Sequence, residues 1–138
     1  MIGKYLVGVS FILDQNNMVL LGKRSDNKDF GGGYWEFPSG RLDQGESIIE
    51  GIIREGREEL DITLTPVQLI DAYSFKRLNL DIVLLNYYCT FEGTIEMSDE
   101  HTEIQWLNKV EAMEKFTFEN QKNTLLNYFK LKEKGLFT

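Results

Sequence analysis

The sequence predicts an α/β fold in which a mixed β-sheet packs between helices. Three observations predict this class: β-rich apolar runs near the amino terminus, an apolar repeat of helical period in the middle, and β-rich runs followed by amphipathic segments towards the end. The chain has 138 residues, the usual size of one compact domain, so we expect a single domain over residues 1–138. Apolar residues make up 42% of it, which is enough for a hydrophobic core and excludes a disordered chain.

The amino-terminal third is predicted to be a series of short extended segments. The first strand has the sequence YLVGVSFIL, the polar DQNN forms a turn after it, and MVLLGKR is the second half of a hairpin. A polar, glycine-rich loop follows, with the sequence SDNKDFGGGY. The next extended piece, WEFPSG, is short because Pro38 and Gly40 prevent it from continuing.

The segment from about Glu46 to Leu60 is predicted to be a helix. Its apolar residues recur at helical spacing and share one side, which is expected to pack on the sheet. These residues are Ile49, Ile52, Ile53, Gly56 and Leu60.

The rest of the chain is predicted to contain three strands and two helices. The strands are two long β-rich runs, DITLTPVQLIDAYSF and LDIVLLNYYCTFEG, joined by the polar KRLN, and the short EIQWL. The helices are the amphipathic segments NKVEAMEKF and ENQKNTLLNYFKLKEK. This order of strands, helix, strands and helices favours the mixed sheet between helices.

Charge and composition exclude several classes of function. The net charge of −7 disfavours binding to duplex nucleic acid, although a bound divalent cation can invert the local charge for a small phosphorylated ligand. With one cysteine, Cys89, and one histidine, His101, the sequence cannot form an internal disulfide or a Cys/His zinc site. The first apolar run is too short for a membrane span and lacks a signal-peptide pattern, so we expect a cytoplasmic protein without a membrane partner.

Glu55, Glu58 and Glu59 lie on one face of the predicted helix, because they are three and four residues apart. A solvated acidic face is the commonest reason for such a cluster, and for REGREE taken alone it is the better one. Stacked like charges nevertheless cost on the order of a few tenths of a kcal/mol per pair. Mg²⁺, which binds a few carboxylates together with water and substrate phosphates, would reverse that cost.

The residues around the cluster complete a longer pattern. It consists of Gly40, five residues, Glu46, seven residues, Arg54-Glu55, two residues and Glu58-Glu59. This resembles the Nudix box, G-x5-E-x7-R-E-U-x-E-E-x-G-U with U a bulky aliphatic residue, of the MutT-like Nudix hydrolases. The preceding WEFPSG resembles the lead-in W-x-F-P-G-G that is common in that family.

Three positions depart from the family pattern. Gly56 replaces an aliphatic residue, Asp61 replaces the helix-ending glycine, and Ser39 replaces a lead-in glycine. Gly56 should cost about 1 kcal/mol relative to Ala inside a helix, or else permit a close approach to the sheet. Asp61 tolerates the left-handed conformation better than most residues, though less well than glycine. The charged positions of the box are all retained.

The resemblance implies a fold, a reaction and a cofactor. It implies an α/β/α sandwich that hydrolyses a diphosphate linkage in a nucleoside diphosphate derivative, with Mg²⁺ or Mn²⁺ as the cofactor. The implied catalytic glutamates also bind the metal together with a backbone carbonyl, so the ligands are Glu55, Glu58, Glu59 and Gly40. Glu46 and Arg54 would hold the loop and the helix in place, a role that an ordinary salt bridge also fulfils.

Two glutamates are candidates for the general base. Glu55 is one candidate, and in several family members a base or an extra ligand comes from a loop before a late tryptophan. Here that loop offers Glu100, six residues before Trp106, with Glu103 nearer. We expect Glu100 to be an accessory ligand or base, the alternative being a solvated loop acid. His101 beside it could contact phosphate, although a lone loop histidine is more often incidental.

Three residues are candidates for binding the substrate. Arg24 matches a basic residue often seen in the family after this strand, and we expect it to contact a phosphate. Tyr34 and Trp35 could stack on a base, although large aromatics in the lead-in more often pack in the core. Weaker candidates, for which surface solubility is the better explanation, are Lys23, Lys76 and Arg77.

The compact chain and its lead-in favour a (d)NTP or oxidised (d)NTP pyrophosphohydrolase. The alternatives are an ADP-ribose or nucleotide-sugar pyrophosphatase and a weakly catalytic Nudix-fold nucleotide sensor; the intact carboxylate set argues against the sensor. An acidic α+β binding module outside the family is a further alternative. Dimers are frequent in the family, so a homodimer is among the expected forms.

Overall fold

The computed structural model describes residues 2–25 and 32–137, which form two four-stranded sheets and three helices. The strands are β1 (Leu6–Ile12), β2 (Asp14–Gln15), β3 (Met18–Arg24), β4 (Trp35–Glu36), β5 (Ser39–Arg41), β6 (Thr63–Arg77), β7 (Leu80–Glu92) and β8 (His101–Leu107). The helices are α1 (Ile48–Leu60), α2 (Lys109–Lys115) and α3 (Glu119–Glu133). In these two stretches, no helix is both long and apolar enough to cross a membrane.

The first sheet is mixed and the second is antiparallel. The first has the strand order β5-β1-β7-β6, in which β1 runs parallel to β7 and the other neighbours are antiparallel. In the second sheet, β3 pairs with β2, β4 and β8. The predicted mixed sheet is therefore confirmed, with the addition of a second sheet.

The hydrophobic core lies on both faces of the strands. Successive residues of one strand enter different clusters: Phe11 packs on the side of α1, whereas Ile12 packs on the side of α2 and α3. Ile52 of α1 belongs to the first cluster, and Tyr128 of α3 belongs to the second. The strands are thus covered by helices on both sides, which confirms the expected α/β/α sandwich.

The predicted hairpin has a different first strand. MVLLGKR, which is β3, pairs with the two-residue β2 through a turn at Asn16 and Asn17, whose φ angles are 53° and 61°. Two consecutive positive φ angles are typical of a tight type I′ hairpin turn. YLVGVSFIL instead becomes β1 of the other sheet, because the chain passes from one sheet to the next at Leu13.

The WEFPSG segment does not end at Gly40. It forms β4 before Pro38 and β5 after it, and Gly40 is the middle residue of β5, paired with Val9 of β1. A backbone that pairs with a neighbouring strand continues through a glycine, which explains the difference. Residues 26–31 of the predicted glycine-rich loop lie outside the described residues.

Helix α1 turns a different side to the sheet than predicted. Ile52 and Leu60 are fully buried as expected, but Ile49 and Ile53 are 48% and 39% exposed. The buried side includes the acidic residues Glu55 and Glu59 instead, along with two glycines. Glycines let a helix approach a sheet closely, so the small residues decide which side is buried.

The ends of α1 follow known capping rules. The Ser47 hydroxyl accepts a hydrogen bond from the Glu50 backbone N–H at the amino terminus. At the other end Asp61 adopts the left-handed conformation, with φ 57° and ψ 37°, which is the position where the family pattern has glycine. These caps fix the position of the acidic residues along the helix.

Candidate active site

The carboxyl group of Glu55 lies directly on the backbone of β5. Glu55 is only 6% exposed, and a Cβ atom added at Gly40 would overlap its carboxyl group. Gly40 therefore provides the space in which this side chain lies, and no other residue type fits there. The two ends of the predicted motif, the glycine and the helix, meet at this contact.

Arg54 joins the acidic residues to one another. Its Nε and Nη2 donate to the two oxygens of Glu46 at 2.7 and 2.9 Å, and its Nη1 donates to Glu55 at 2.8 Å and to Glu58 at 2.9 Å. Its Nη2 also donates to the carbonyl oxygen of Arg41 at 2.9 Å, which ties the helix to the end of β5. The hydrogen bonds from Arg54 lower the pKa of Glu46 to about 2. The expected ion pair is therefore present, and it is bidentate.

Two acids of the helix are buried, and the cost of burial outweighs the hydrogen bonds that they accept. Burial raises the pKa of Glu55, and it raises that of Glu59 to about 7, where the negative charge of Glu100 adds to the effect. Desolvation and a like charge both disfavour the ionised form of a carboxyl group. A cation between these side chains would favour the ionised form again, which is what a metal site requires.

Ser98 brings the loop before β8 onto α1. Its hydroxyl donates to Glu59 at 3.1 Å and accepts from the backbone N–H of Glu100 at 3.2 Å, and its own N–H donates to the Glu59 carbonyl at 3.1 Å. Ser25, directly after β3, donates its N–H to the Glu100 carbonyl at 3.0 Å. Glu100 is thus held between α1 and β3. Sequence reasoning missed both serines, because their partners are distant in the chain.

The donor set fits a hard divalent cation in chemistry, whereas the ligands have not converged. Carboxylate oxygens are the ligands that such cations prefer. Among residues 2–25 and 32–137, no three or more acidic, histidine or cysteine side chains are gathered as a ready metal site. Arg54 donates to one oxygen each of Glu55 and Glu58, so a cation bound by both would use their other oxygens or replace this guanidinium.

A cleft of about 440 Å³ opens beside Gly40 and Glu100. Three arginines line it: Arg24, Arg41 and Arg77. Burial lowers the pKa of Arg77, and the positive charges of Arg24 and Arg41 lower it further. The apolar part of the wall is formed by Leu6, Val7, Phe75, Leu78, Leu80, Ile82 and Leu84. Such a cleft combines anion-binding groups with a surface for a flat apolar group.

Comparison with known proteins identifies the family. The model of the NUDIX domain matches residues 4–129. The chain belongs to the NUDIX family. It is a MutT-like Nudix hydrolase, an enzyme that acts on pyrophosphate bonds.

Relatives with established names are similar over most of their length. The 8-oxo-dGTP diphosphatase of Proteus vulgaris is 29% identical over 99 residues, which cover 70% of this chain and 85% of the relative. The CTP pyrophosphohydrolase of Escherichia coli K12 is 28% identical over 113 residues, covering 80% and 82%. The crystal structure of the MutT protein from Methanosarcina mazei Go1 superposes with a TM-score of 0.83 at 22% identity, covering 94% and 96%. That last likeness shows the fold alone.

The predicted substrate residues of this Nudix hydrolase lie in different environments. Arg24 lines the cleft, with its Nη1 3.4 Å from both oxygens of Glu36. Tyr34 is 43% exposed, with its ring edge-on to Phe118 at 5.2 Å. Trp35 is 9% exposed and belongs to the core, which favours the packing role for it.

One expectation about another residue was wrong. His101 is not a loop residue, because β8 begins there and its side chain is 1% exposed, with Nε2 2.9 Å from Glu36. Arg77 lines the cleft, so its role as a weaker substrate candidate stays a prediction. Lys76, in contrast, forms an exposed ion pair with Asp81 at 3.0 Å, as a surface residue would. Alternation along β6 puts Lys76 and Arg77 on opposite faces, a signal that was available in the sequence.

Proposed function

We propose that this Nudix hydrolase cleaves the triphosphate chain of a nucleoside triphosphate, ordinary or oxidised, with the aid of Mg²⁺ or Mn²⁺. One observation carries the proposal: the buried acidic side of α1 and a cleft lined by three arginines meet at Gly40. The acids suit a cation and the arginines suit phosphate, so a polyphosphate fits both. The names of the Proteus vulgaris and Escherichia coli relatives support a nucleotide substrate.

Nudix hydrolases generally use divalent metals, and here Glu55, Glu58, Glu59 and the Gly40 carbonyl would hold one. When bound, the cation neutralises phosphate charge and lowers the pKa of a water molecule. Before a cation binds, Arg54 would hold the acidic side chains together on one side of α1. Its carboxylate partners among the described residues are Asp43, Glu46, Glu55 and Glu58.

The cleft would bind and orient the nucleotide. Arg24, Arg41 and Arg77 would donate to phosphate oxygens, and the phosphates would relieve the repulsion among these like charges. The apolar wall around Phe75 would take the nucleobase and exclude water. Binding would place the scissile phosphate next to Gly40, because this residue lines the cleft and also contacts the carboxyl group of Glu55.

Glu100 would take the proton of the attacking water. It lines the cleft directly, whereas one oxygen of Glu55 is occupied by Arg54. Ser98 and Ser25 bind the backbone N–H and the carbonyl of Glu100, which holds this residue at the edge of the cleft. A carboxylate within hydrogen-bond reach of the water is what general-base catalysis needs.

A substrate panel tests the proposal. Purified protein is incubated with the (d)NTPs, 8-oxo-dGTP, ADP-ribose and a nucleotide sugar, with Mg²⁺ or with EDTA, and released phosphate and pyrophosphate are measured. We expect cation-dependent release of pyrophosphate or phosphate from triphosphates. Turnover of ADP-ribose or the nucleotide sugar alone would refute the substrate class, and tight binding without turnover would make the protein a nucleotide sensor.

A pair of variants tests the metal assignment. Glu58→Gln should lower kcat by at least ~100-fold, since loss of even an outer partner of a metal site costs about 10–100-fold. Glu50→Gln on the same helix is the matched control, because Glu50 is exposed and lies in the first turn, away from the cluster. Full turnover by Glu58→Gln would remove the metal assignment.

A further inference from the structure

The hairpin turn between β6 and β7 holds an apolar residue in a strained backbone conformation. Leu78 and Asn79 form its two-residue loop, since Arg77 pairs with Leu80 across it. The φ of Leu78 is 58°, in the left-handed region that is unfavourable for a residue with a side chain. A hairpin loop whose first residue has a positive φ ordinarily has glycine there. This chain has a leucine at that position instead.

Leu78 is an exception among the non-glycine residues with a positive φ that the structure describes. The others are Asn16, Asn17 and Asp61, residue types whose short polar side chains can form local hydrogen bonds in this conformation. A leucine cannot form such bonds. Packing does not compensate for the strain either, because the side chain of Leu78 is 74% exposed. The pairing of β6 with β7 therefore imposes the conformation, and the fold gains little from this side chain.

The position of Leu78 gives its side chain a use outside the fold. It lines the cleft of about 440 Å³ together with Gly40 and Glu100, and its exposure puts it at the rim of that cleft. Leu80, on the other side of the turn, lines the same cleft and is 46% exposed. Covering such apolar surface with a ligand is favourable, because it removes that surface from water. Backbone strain without a structural benefit is typical of ligand-binding positions.

The chemistry of leucine indicates which part of a nucleotide it would contact. A leucine side chain has no hydrogen-bond donor, so a phosphate gains nothing from it. The flat face of a nucleobase, in contrast, gains dispersion and apolar contact. Arg77 and Leu78 are consecutive and both line the cleft, so a polar and an apolar contact lie side by side at its rim.

We propose that Leu78 is a specificity-determining residue: its side chain covers the nucleobase at the rim of the cleft, so that the protein prefers a polyphosphate that carries a base over a bare polyphosphate. This inference rests on the proposed function, in which a nucleoside triphosphate is the substrate. It also explains the strained turn. A glycine at position 78 would relax the backbone, but it would not supply the apolar contact.

Two substitutions separate the apolar contact from the turn, because Leu78→Gly and Leu78→Asn both relieve the strain and both remove the apolar side chain. We expect Leu78→Gly to raise the melting temperature by about 2–4 °C. Both variants should raise KM for the best triphosphate of the panel by about 5–10-fold, since a nucleobase would cover part of the leucine, with kcat within about 2-fold. Leu78→Met, which keeps an apolar side chain, should have a KM nearer to that of the natural protein. Asn79→Ser, in the same turn but not lining the cleft, is the matched control.

Inorganic tripolyphosphate separates the base from the phosphates. Its inhibition constant as a competitor of the triphosphate should agree within about 2-fold between the natural protein and Leu78→Asn. Equal rises in this constant and in KM would overturn the proposal, because the substitution would then have disturbed the whole cleft. A lower melting temperature of Leu78→Gly would overturn it as well, since Leu78 would then stabilise the fold.

The same measurements distinguish this inference from the proposed function. If the natural protein turns over no nucleoside triphosphate, or if tripolyphosphate does not inhibit it, the proposed function fails and this inference falls with it. If the natural protein turns over a triphosphate and KM is unchanged in Leu78→Gly and Leu78→Asn, only this inference fails.

An NMR measurement reports the contact without turnover. In protein with ¹³C-labelled leucine methyl groups, the signals of Leu78 are those that disappear in Leu78→Met. A nucleobase that lies over a methyl group shifts its proton signal through the ring current. Saturation with the nucleoside monophosphate of the best triphosphate should therefore shift the Leu78 signals, whereas tripolyphosphate should not. Leu78 signals that respond equally to both compounds, or to neither, would overturn the proposal.

Discussion

Leu64 of β6 packs into the space that a side chain at position 56 of α1 would fill. A Cβ atom added to Gly56 would be 2.5 Å from the Leu64 Cγ, and Leu64 is 2% exposed. Gly56 is one of the positions where this sequence departs from the family pattern, which has an aliphatic residue there. The departure is compensated by Leu64, which supplies the aliphatic group from the neighbouring strand.

Restoring the family residue should therefore destabilise the protein. Gly56→Leu would overpack the interface between α1 and β6 and lower the free energy of unfolding by about 1–3 kcal/mol, despite the better helix propensity of leucine. Urea denaturation measures the change. Adding Leu64→Ala to Gly56→Leu should recover part of the lost free energy of unfolding, because the smaller side chain at position 64 makes room for the new leucine. A stabilised Gly56→Leu variant would show that the contact is not tight.

Restoring the family residue at position 61 should instead stabilise the protein. It ends α1 in the left-handed conformation, with φ 57°, which costs a residue with a side chain about 1–2 kcal/mol. Asp61→Gly should raise the free energy of unfolding by about 0.5–1 kcal/mol, the gain being reduced by the greater freedom of glycine in the unfolded chain. Asp61→Ala should lower it. Thermal unfolding of the natural protein, Asp61→Gly and Asp61→Ala measures the order of their stabilities. Equal stability of Asp61→Ala and the natural protein would contradict this account of the helix end.

Local patterns in the sequence predicted most of the strands and helices, and they predicted the acidic face of α1. These patterns failed where contacts with residues distant in the sequence determine the local structure. The exposed Ile49 and Ile53 are one such case, because glycine contacts with β5 and β6 set the rotation of α1. His101 is another, since its partner Glu36 lies on a strand that is 65 residues away in the chain. Pairing between strands is a long-range property that periodicity does not contain.

Gly40→Ala should lower kcat by displacing a catalytic side chain. The added methyl group would overlap the carboxyl group of Glu55 and push it away from β5. A displacement of about 1 Å at a catalytic group can cost roughly 100-fold in rate, so we expect kcat to fall by about that factor. Gly3→Ala is the control, since its Cβ would make only an ordinary contact of 3.6 Å with Tyr5. Equal kcat values for the two variants would contradict the role of Gly40.

Cys89 should be inert in the folded protein. It is 1% exposed, and burial raises the pKa of its thiol to about 12 from an ordinary value of 9.0. The thiolate fraction at pH 8 is then roughly 1,000-fold lower than in the unfolded chain, and alkylation should slow by at least that factor. Mass spectrometry after iodoacetamide treatment, with and without urea, measures both rates. Comparable rates would mean that the thiol is accessible.

The ion pair between Glu46 and Arg54 should make stability depend on pH in acid. The hydrogen bonds from Arg54 lower the pKa of Glu46 from 4.5 to about 2, so the folded state holds the ionised form more strongly than the unfolded state. The pair therefore contributes its full stability above about pH 4.5, and the contribution is lost as the pH falls towards 2. Glu46→Gln lacks this titration. The natural protein should therefore have a higher denaturation midpoint than Glu46→Gln, by a constant amount at neutral pH that shrinks between pH 4.5 and 2. Glu114→Gln, at an exposed position of α2, serves as the control. A difference between Glu46→Gln and the natural protein that is the same at pH 7 and pH 2 would show that Arg54 does not stabilise the ionised carboxylate.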